Sequence, residues 1–214
     1  MATTGREGPR RGARWSRGLL GRLAICALVA MPGTGAGWAQ NLVWNGDFAV
    51  DVSGWEPHAG GSLVWTNLSD ESDCPASGMG LSTSVEVSTL WVATVEQCVP
   101  DLPPGASVAV AARHLGYGNF SIELEFWGTI DCESGFVSSL GSPYEPQDPV
   151  LWNTATISTT VPATAHSLRL RLSAVDFDPH GLGVDGVVVA YRPPLFLDGF
   201  EADAAESTQP CRWH

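Results

Sequence analysis

The chain has 214 residues, with 11 Lys+Arg against 23 Asp+Glu and a net charge of −12. Six of the arginines lie in the first 39 residues, so the remaining 175 carry five arginines, no lysine and 22 acidic side chains, close to −17. A surface of that sign repels phosphate backbones and excludes nucleic acid as a partner, while 175 residues suffice for one domain with a sizeable core.

Residues 1–39 read as a secretory signal. Arg6, Arg10, Arg11, Arg14, Arg17 and Arg22 form a basic start, the stretch 19–31 is mostly apolar, and Gly37-Trp38-Ala39 offers small residues at a cleavage site. The apolar run is too short for a transmembrane anchor and is broken by Arg22. The expected product starts near Gln40, has no transmembrane segment after cleavage, and is secreted or periplasmic.

The stretch 41–55 then reads as a short strand, a tight polar turn and a buried aromatic. Asn45-Gly46-Asp47 tolerates positive φ, and Phe48 and Trp55 bring large apolar surface; Trp44, Trp55 and Trp152 are expected in the core. Period-2 runs follow at 62–67, 80–87, 91–100, 107–114, 120–132, 152–161, 167–175 and 184–191. Between them, 69–78, 101–105, 138–149 and 176–183 are rich in Asp, Ser, Gly or Pro and read as linkers. Helical periodicity is almost absent. About nine strands at this spacing predict an all-β domain over 40–192, a two-sheet antiparallel β-sandwich. Pro193-Pro194 stops the last strand, leaving 193–214 as a tail or an extra strand.

Two strands are the most legible. Phe120, Ile122, Leu124 and Phe126 share one face, with Ser121, Glu123, Glu125 and Trp127 on the other. Leu168, Leu170 and Leu172 likewise oppose Ser167, Arg169, Arg171 and Ser173. If the strands are neighbours, their outer faces place carboxylates beside guanidinium groups, and cross-strand pairs worth a few tenths of a kcal/mol each follow.

Asn45-Gly46-Asp47-Phe48 with Trp55 seven residues on resembles the opening of secreted carbohydrate-binding modules with a galactose-binding-like jelly roll. Trp152 before a Thr-rich strand, Pro162-Ala163 leading into Ser-Leu-Arg-Leu-Arg-Leu, and Gly183-Val-Asp-Gly-Val-Val-Val are similar to the last third of the same modules. The resemblance runs from Asn41 to Arg192 and implies a jelly roll that binds a polysaccharide or other glycan without catalysis. It also implies a structural Ca2+ shared by the first and last strands, with Asp47 and Asp185 at the matching positions. Ala49 and Gly186 stand where the family has further acidic ligands, and the alternative for both aspartates is a structural turn. The segment Phe196-Leu-Asp-Gly-Phe-Glu is similar to one at the ends of secreted gammaproteobacterial proteins, which points to a bacterial source.

Four cysteines follow the signal, Cys74, Cys98, Cys132 and Cys211. An even count in an exported chain predicts disulfides with three possible pairings, and the spacing does not suit zinc. His58, His114, His166, His180 and His214 are scattered and fit no catalytic motif. Glu123 and Glu125 are the best candidates for a glycosidase pair.

Sugar binding has better material, because pyranose C–H faces stack on aromatic rings and hydroxyls seek planar polar groups. The candidate ligand residues are Trp127, Glu123, Glu125, Arg169 and Arg171, with Tyr117 and Tyr144 in flanking loops. The alternative for this face is a solvated sheet surface with a partly covered tryptophan. At the level of function, the alternatives are an adhesive or structural envelope protein that keeps the fold without a sugar site and, third, a glycoside hydrolase.

Overall fold

The computed structural model describes residues 41–58, 60–68 and 78–191, all within the unit that spans Gly37–His214. The signal, Cys74, Cys211 and the segment 193–214 lie outside the described residues. Twelve strands appear among the described residues, in chain order β1 (Glu56–Pro57), β2 (Ser62–Thr66), β3 (Met79–Thr83), β4 (Val85–Val87), β5 (Leu90–Val99) and β6 (Ser107–Gly116). They continue with β7 (Asn119–Trp127), β8 (Phe136–Gly141), β9 (Glu145–Pro146), β10 (Asn153–Thr160), β11 (Ser167–Asp176) and β12 (Gly181–Tyr191).

These form the expected all-β sandwich of two antiparallel sheets. One sheet has the order β1-β5-β11-β7-β8, with β4 also on β5 and β9 also on β7. The other runs β10-β6-β12-β3-β2. Successive long strands alternate between sheets, as a jelly roll requires. Each is therefore apolar on the side that faces its partner sheet. Phe120, Ile122, Leu124, Leu168, Leu170 and Leu172 are fully buried, and Val108, Val110, Val184 and Val189 meet them from the opposite sheet. At about 1.5–3 kcal/mol per fully buried large aliphatic or aromatic side chain, this alternation is what closes the sandwich.

The chain differs from the sequence reading in several places. The run 80–87 is two strands in different sheets, parted at Ser84, because Ser82 points into the core while Val85 pairs with Val92. The run 120–132 ends at Trp127, and residues 128–135 loop back to a strand, β8, that begins before the expected linker. Its pattern is exposed on both faces for much of its length, so it lacks a period-2 signal. Trp44, expected in the core, is 71% exposed: Gln97 binds its backbone N–H (2.7 Å) and carbonyl (2.9 Å), and the ring lies over Gly54. Trp55 is buried as expected, whereas Trp152, also expected in the core, is only half-buried in the segment leading into β10.

The opening stretch closes the sandwich. Asn41 accepts from the Val189 N–H and donates to the Val187 carbonyl, both at 2.9 Å, and Val187 N–H donates to the Gly46 carbonyl at 2.7 Å. The positive φ values fall at Asn45 and at Phe48, not at Gly46. Gly46 is needed for another reason, since a Cβ there would sit 2.1 Å from the Val187 carbonyl oxygen. Phe48, fully buried beside Trp55 with ring centroids 5.4 Å apart, plugs the open edge, and Trp65 Nε1 caps its carbonyl at 2.7 Å.

Candidate functional site

The pairing of β11 with β7 and β5 decides the outer face of the seven-stranded sheet. Arg171 stands opposite Glu123 on one side and Glu96 on the other, and Arg169 opposite Glu125 and Cys98. The expected neighbourhood of carboxylates and guanidinium groups is therefore real. Arg171 Nε donates to Glu96 Oε2 at 3.0 Å, while Nη1 donates to Glu123 Oε2 at 3.0 Å and Glu125 Oε1 at 2.9 Å. His58 Nδ1 lies 3.1 Å from the same Glu96 oxygen. Burial works against the charge on Arg171, but the hydrogen bond to Glu96 and the charges of Glu125, Glu96 and Glu123 outweigh it and hold the guanidinium more firmly protonated than usual. Glu96, the third carboxylate, was missed because the sequence does not say which strand flanks β11 on its far side.

Arg169 takes a different position. Its guanidinium carbon lies 5.0 Å from the Trp127 ring centroid, and Nη2 donates to the Cys132 carbonyl. Trp127 meets Phe136 edge-on, with centroids 5.5 Å apart. Phe136 is 57% exposed and was not singled out from the sequence, since only the β7–β8 register brings it opposite Trp127. Trp127 Nε1 and Glu125 Oε2 are both buried without a hydrogen-bond partner among the described residues. Glu125 Oε2 lies 3.7 Å from Arg169 Nη1, at ion-pair distance, so Arg169 joins the charged cluster beneath the face.

Tyr117 and Tyr144 are exposed, but at the other end of the face. Tyr117 sits in the β6–β7 turn, where its carbonyl accepts from Gln147 Nε2, and Tyr144 precedes β9, which pairs with Asn119 and Phe120. The length of β7, about 26 Å at ~3.3 Å per residue, separates that end from Trp127. The candidate residues thus make a charged centre, an aromatic pair at one end and two tyrosines at the other.

The loop 128–135 crosses the face. It leaves β7, passes over β11 and reaches β5, where Cys132 is bonded to Cys98. Ser167 Oγ donates to the Thr129 carbonyl at 2.6 Å, and Thr129 and the Asp131 carboxylate fix the loop internally. Cys98 and Cys132 are one pair of the predicted disulfides; Cys74 and Cys211 fall outside the described residues.

Asp47 and Asp185 lie on segments joined by the Gly46–Val187 hydrogen bond. Asp47 is exposed, whereas Asp185 is buried, stands in register with Arg113 and accepts from the Gly186 N–H at 2.7 Å. Gly186 has a φ of 53° at a register shift in β12, so a glycine there serves a β-bulge. Among the described residues, no group of three or more His, Cys, Asp or Glu side chains is arranged to hold a metal ion. A calcium at this point would draw most of its about six to eight oxygens from carbonyls and water.

No protein-family model matches the chain, and no curated protein is similar to it in sequence. Solved structures do match. The enzymatically active domain of bacteriophage CBA120 tailspike protein 4 is 18% identical with a TM-score of 0.58; the match covers 71% of this chain but 21% of that one. A family 16 carbohydrate-binding module is 13% identical at a TM-score of 0.51, over 70% of this chain and 99% of the module. The family 22 xylan-binding domain of Paenibacillus barcinonensis Xyn10C is 12% identical at 0.53, over 72% and 95%. The likeness is one of fold. The described sandwich shares its two-sheet jelly-roll fold with these structures, and the two modules are matched over almost their whole length.

Proposed function

We propose that this chain is a secreted, non-catalytic module that binds a neutral polysaccharide on the outer face of the seven-stranded sheet. The observation that carries the reading is that face: three carboxylates gathered on Arg171, next to the aromatic pair of Trp127 and the exposed Phe136, on a fold similar to carbohydrate-binding modules. Glu123 and Glu125 keep lone pairs for hydroxyl groups, Trp127 with Phe136 supplies apolar surface, and Tyr117 and Tyr144 lie where a longer chain would leave the face. The similarity to a xylan-binding domain makes xylan the first candidate.

Catalysis is the weaker reading. Glu123 and Glu125 stand side by side on one strand and turn to the same guanidinium nitrogen, whereas a glycosidase pair faces across the scissile bond. The rival, an envelope protein without a sugar site, gains support from the same saturation of Arg171. Retention on immobilised xylan separates the two. Trp127→Ala is expected to weaken retention by about 2 kcal/mol or more, in the range of aromatic anchors. Because Arg169 covers the Trp127 ring, Phe136→Ala serves as a second variant less exposed to misfolding. Full retention by both folded variants would move the site off this face.

A further inference from the structure

We infer that residues 193–214 fold back over the outer face of the five-stranded sheet, which makes that face a docking surface for this segment of the same chain. The inference is independent of the glycan reading and starts from a contrast between the two outer faces. The seven-stranded sheet turns charged side chains outward, the cluster on Arg171 among them. The five-stranded sheet turns small and apolar ones outward. Val64, Leu81, Gly183 and Leu115 form one row across β2, β3, β12 and β6, and Val188 stands beside Ala111 in another. β12 accordingly reads as a nearly unbroken apolar run, the pattern of a strand covered on both sides.

Burial on this side exceeds what the sheet itself supplies. The Met79 thioether lies on the outer side of Gly183, where a Cβ would sit 2.8 Å from its sulfur, yet Met79 is 7% exposed. Asp185 and Ala190, on the same side, are 2% exposed. All twelve described strands belong to the two sheets, so none of them forms a third layer here. Val64 at the edge stays 48% exposed, which puts the cover over β3, β12 and β6. Connectivity names the occupant. β12 is the central strand of this sheet, so the chain after it has no edge to follow, and Pro193-Pro194 ends its pairing. The core fills one side of β12, and the outer side is the one open to the chain. Gly183 lies eight residues back from Tyr191, about 26 Å at ~3.3 Å per residue, which is the reach of residues 193–200. That stretch holds Leu195, Phe196, Leu197 and Phe200, while 201–208 hold no large apolar residue. Apolar side chains that would otherwise sit in water thus meet a face that needs covering.

The test is oxidation of Met79, the one methionine beyond the signal, by dilute hydrogen peroxide in the unaltered exported protein. Oxidation is expected to be slow there and severalfold faster in the folded full-length variant Phe196→Asp/Phe200→Asp. Equal rates in the two overturn the inference, since the cover then comes from elsewhere in the chain. Protection that grows with protein concentration assigns the face to a second copy, and protection that appears only with added xylan assigns it to a glycan; either result overturns it. Chymotrypsin supplies a measurement that needs no variant. It is expected to spare the bonds after Phe196 and Phe200 for as long as the sandwich stays folded, and rapid cutting at both overturns the inference. Should the variant not fold, the cutting of the unaltered protein decides.

Discussion

Arg171 is 14% exposed in its side chain and shares its donors among Glu96, Glu123 and Glu125. Its removal leaves three carboxylates facing one another on a half-dry surface. Arg171→Met is expected to cost more than the ~1 kcal/mol of an exposed pair and less than the about 3–5 kcal/mol of a fully buried one, read from the shift in urea midpoint. An unchanged midpoint would mean that the carboxylates simply turn to solvent. His114 is the other residue with leverage. It is fully buried, stacks on Phe120 with centroids 3.9 Å apart, and neither ring nitrogen has a well-formed partner. Burial pushes its pKa down to about 4; the Gln147 side chain favours the charged ring without offsetting this, and the Arg113 charge lowers it further. The unfolded chain, near the ordinary 6.5, therefore binds the proton first. Above that value the group is neutral in both states, and stability falls as pH drops from about 6.5 through about 4. The melting midpoint is expected to decline over this window, and less so in His114→Phe. Equal declines in the two proteins would assign the effect to other groups.

Among elements, the loop 128–135, a strap tied to β5 by the Cys98–Cys132 bond, carries the clearest energetic statement. The Cys98–Cys132 bond closes a loop of sequence separation 34 and ties β5 to the end of β7 across β11. On the chain-entropy account, a loop of that length contributes about 3–4 kcal/mol. Reduction is expected to lower the unfolding free energy by that order, with β5 and the strap losing amide protection first. A reduced protein with the same midpoint as the oxidised one would show that the strap's hydrogen bonds hold it alone. The legibility of the strands varies with their surroundings. β7 and β11 were readable because one face is core and the other carries polar and charged side chains, so the alternation is strong even though Ser121 and Ser167 on the outer face are buried. β8 was not, because an edge strand exposed on both sides needs no apolar period.

At the scale of the whole molecule, calcium makes a prediction of its own. If Asp47 and Asp185, with carbonyls near the β12 bulge, hold the ion, its binding to the native state alone stabilises the fold by about 2.7 kcal/mol at a hundredfold excess over Kd and raises the melting midpoint. Identical melts in calcium and in chelator would reduce both aspartates to turn residues. By itself the sequence determined the all-β class, the core faces of β7 and β11, the burial of Trp55, and that Arg171 would pair with the β7 carboxylates provided the two strands were neighbours. These follow from period-2 alternation and bulky apolar residues, which act locally along each strand. Tertiary structure alone decided that Glu96 completes the ring around Arg171, that Phe136 meets Trp127, that Trp44 is outside, and that Cys132 reaches over β11 to Cys98. Each of these depends on which strands lie side by side and in what register, and that choice is set by burial across the whole sandwich, which no short stretch of chain encodes.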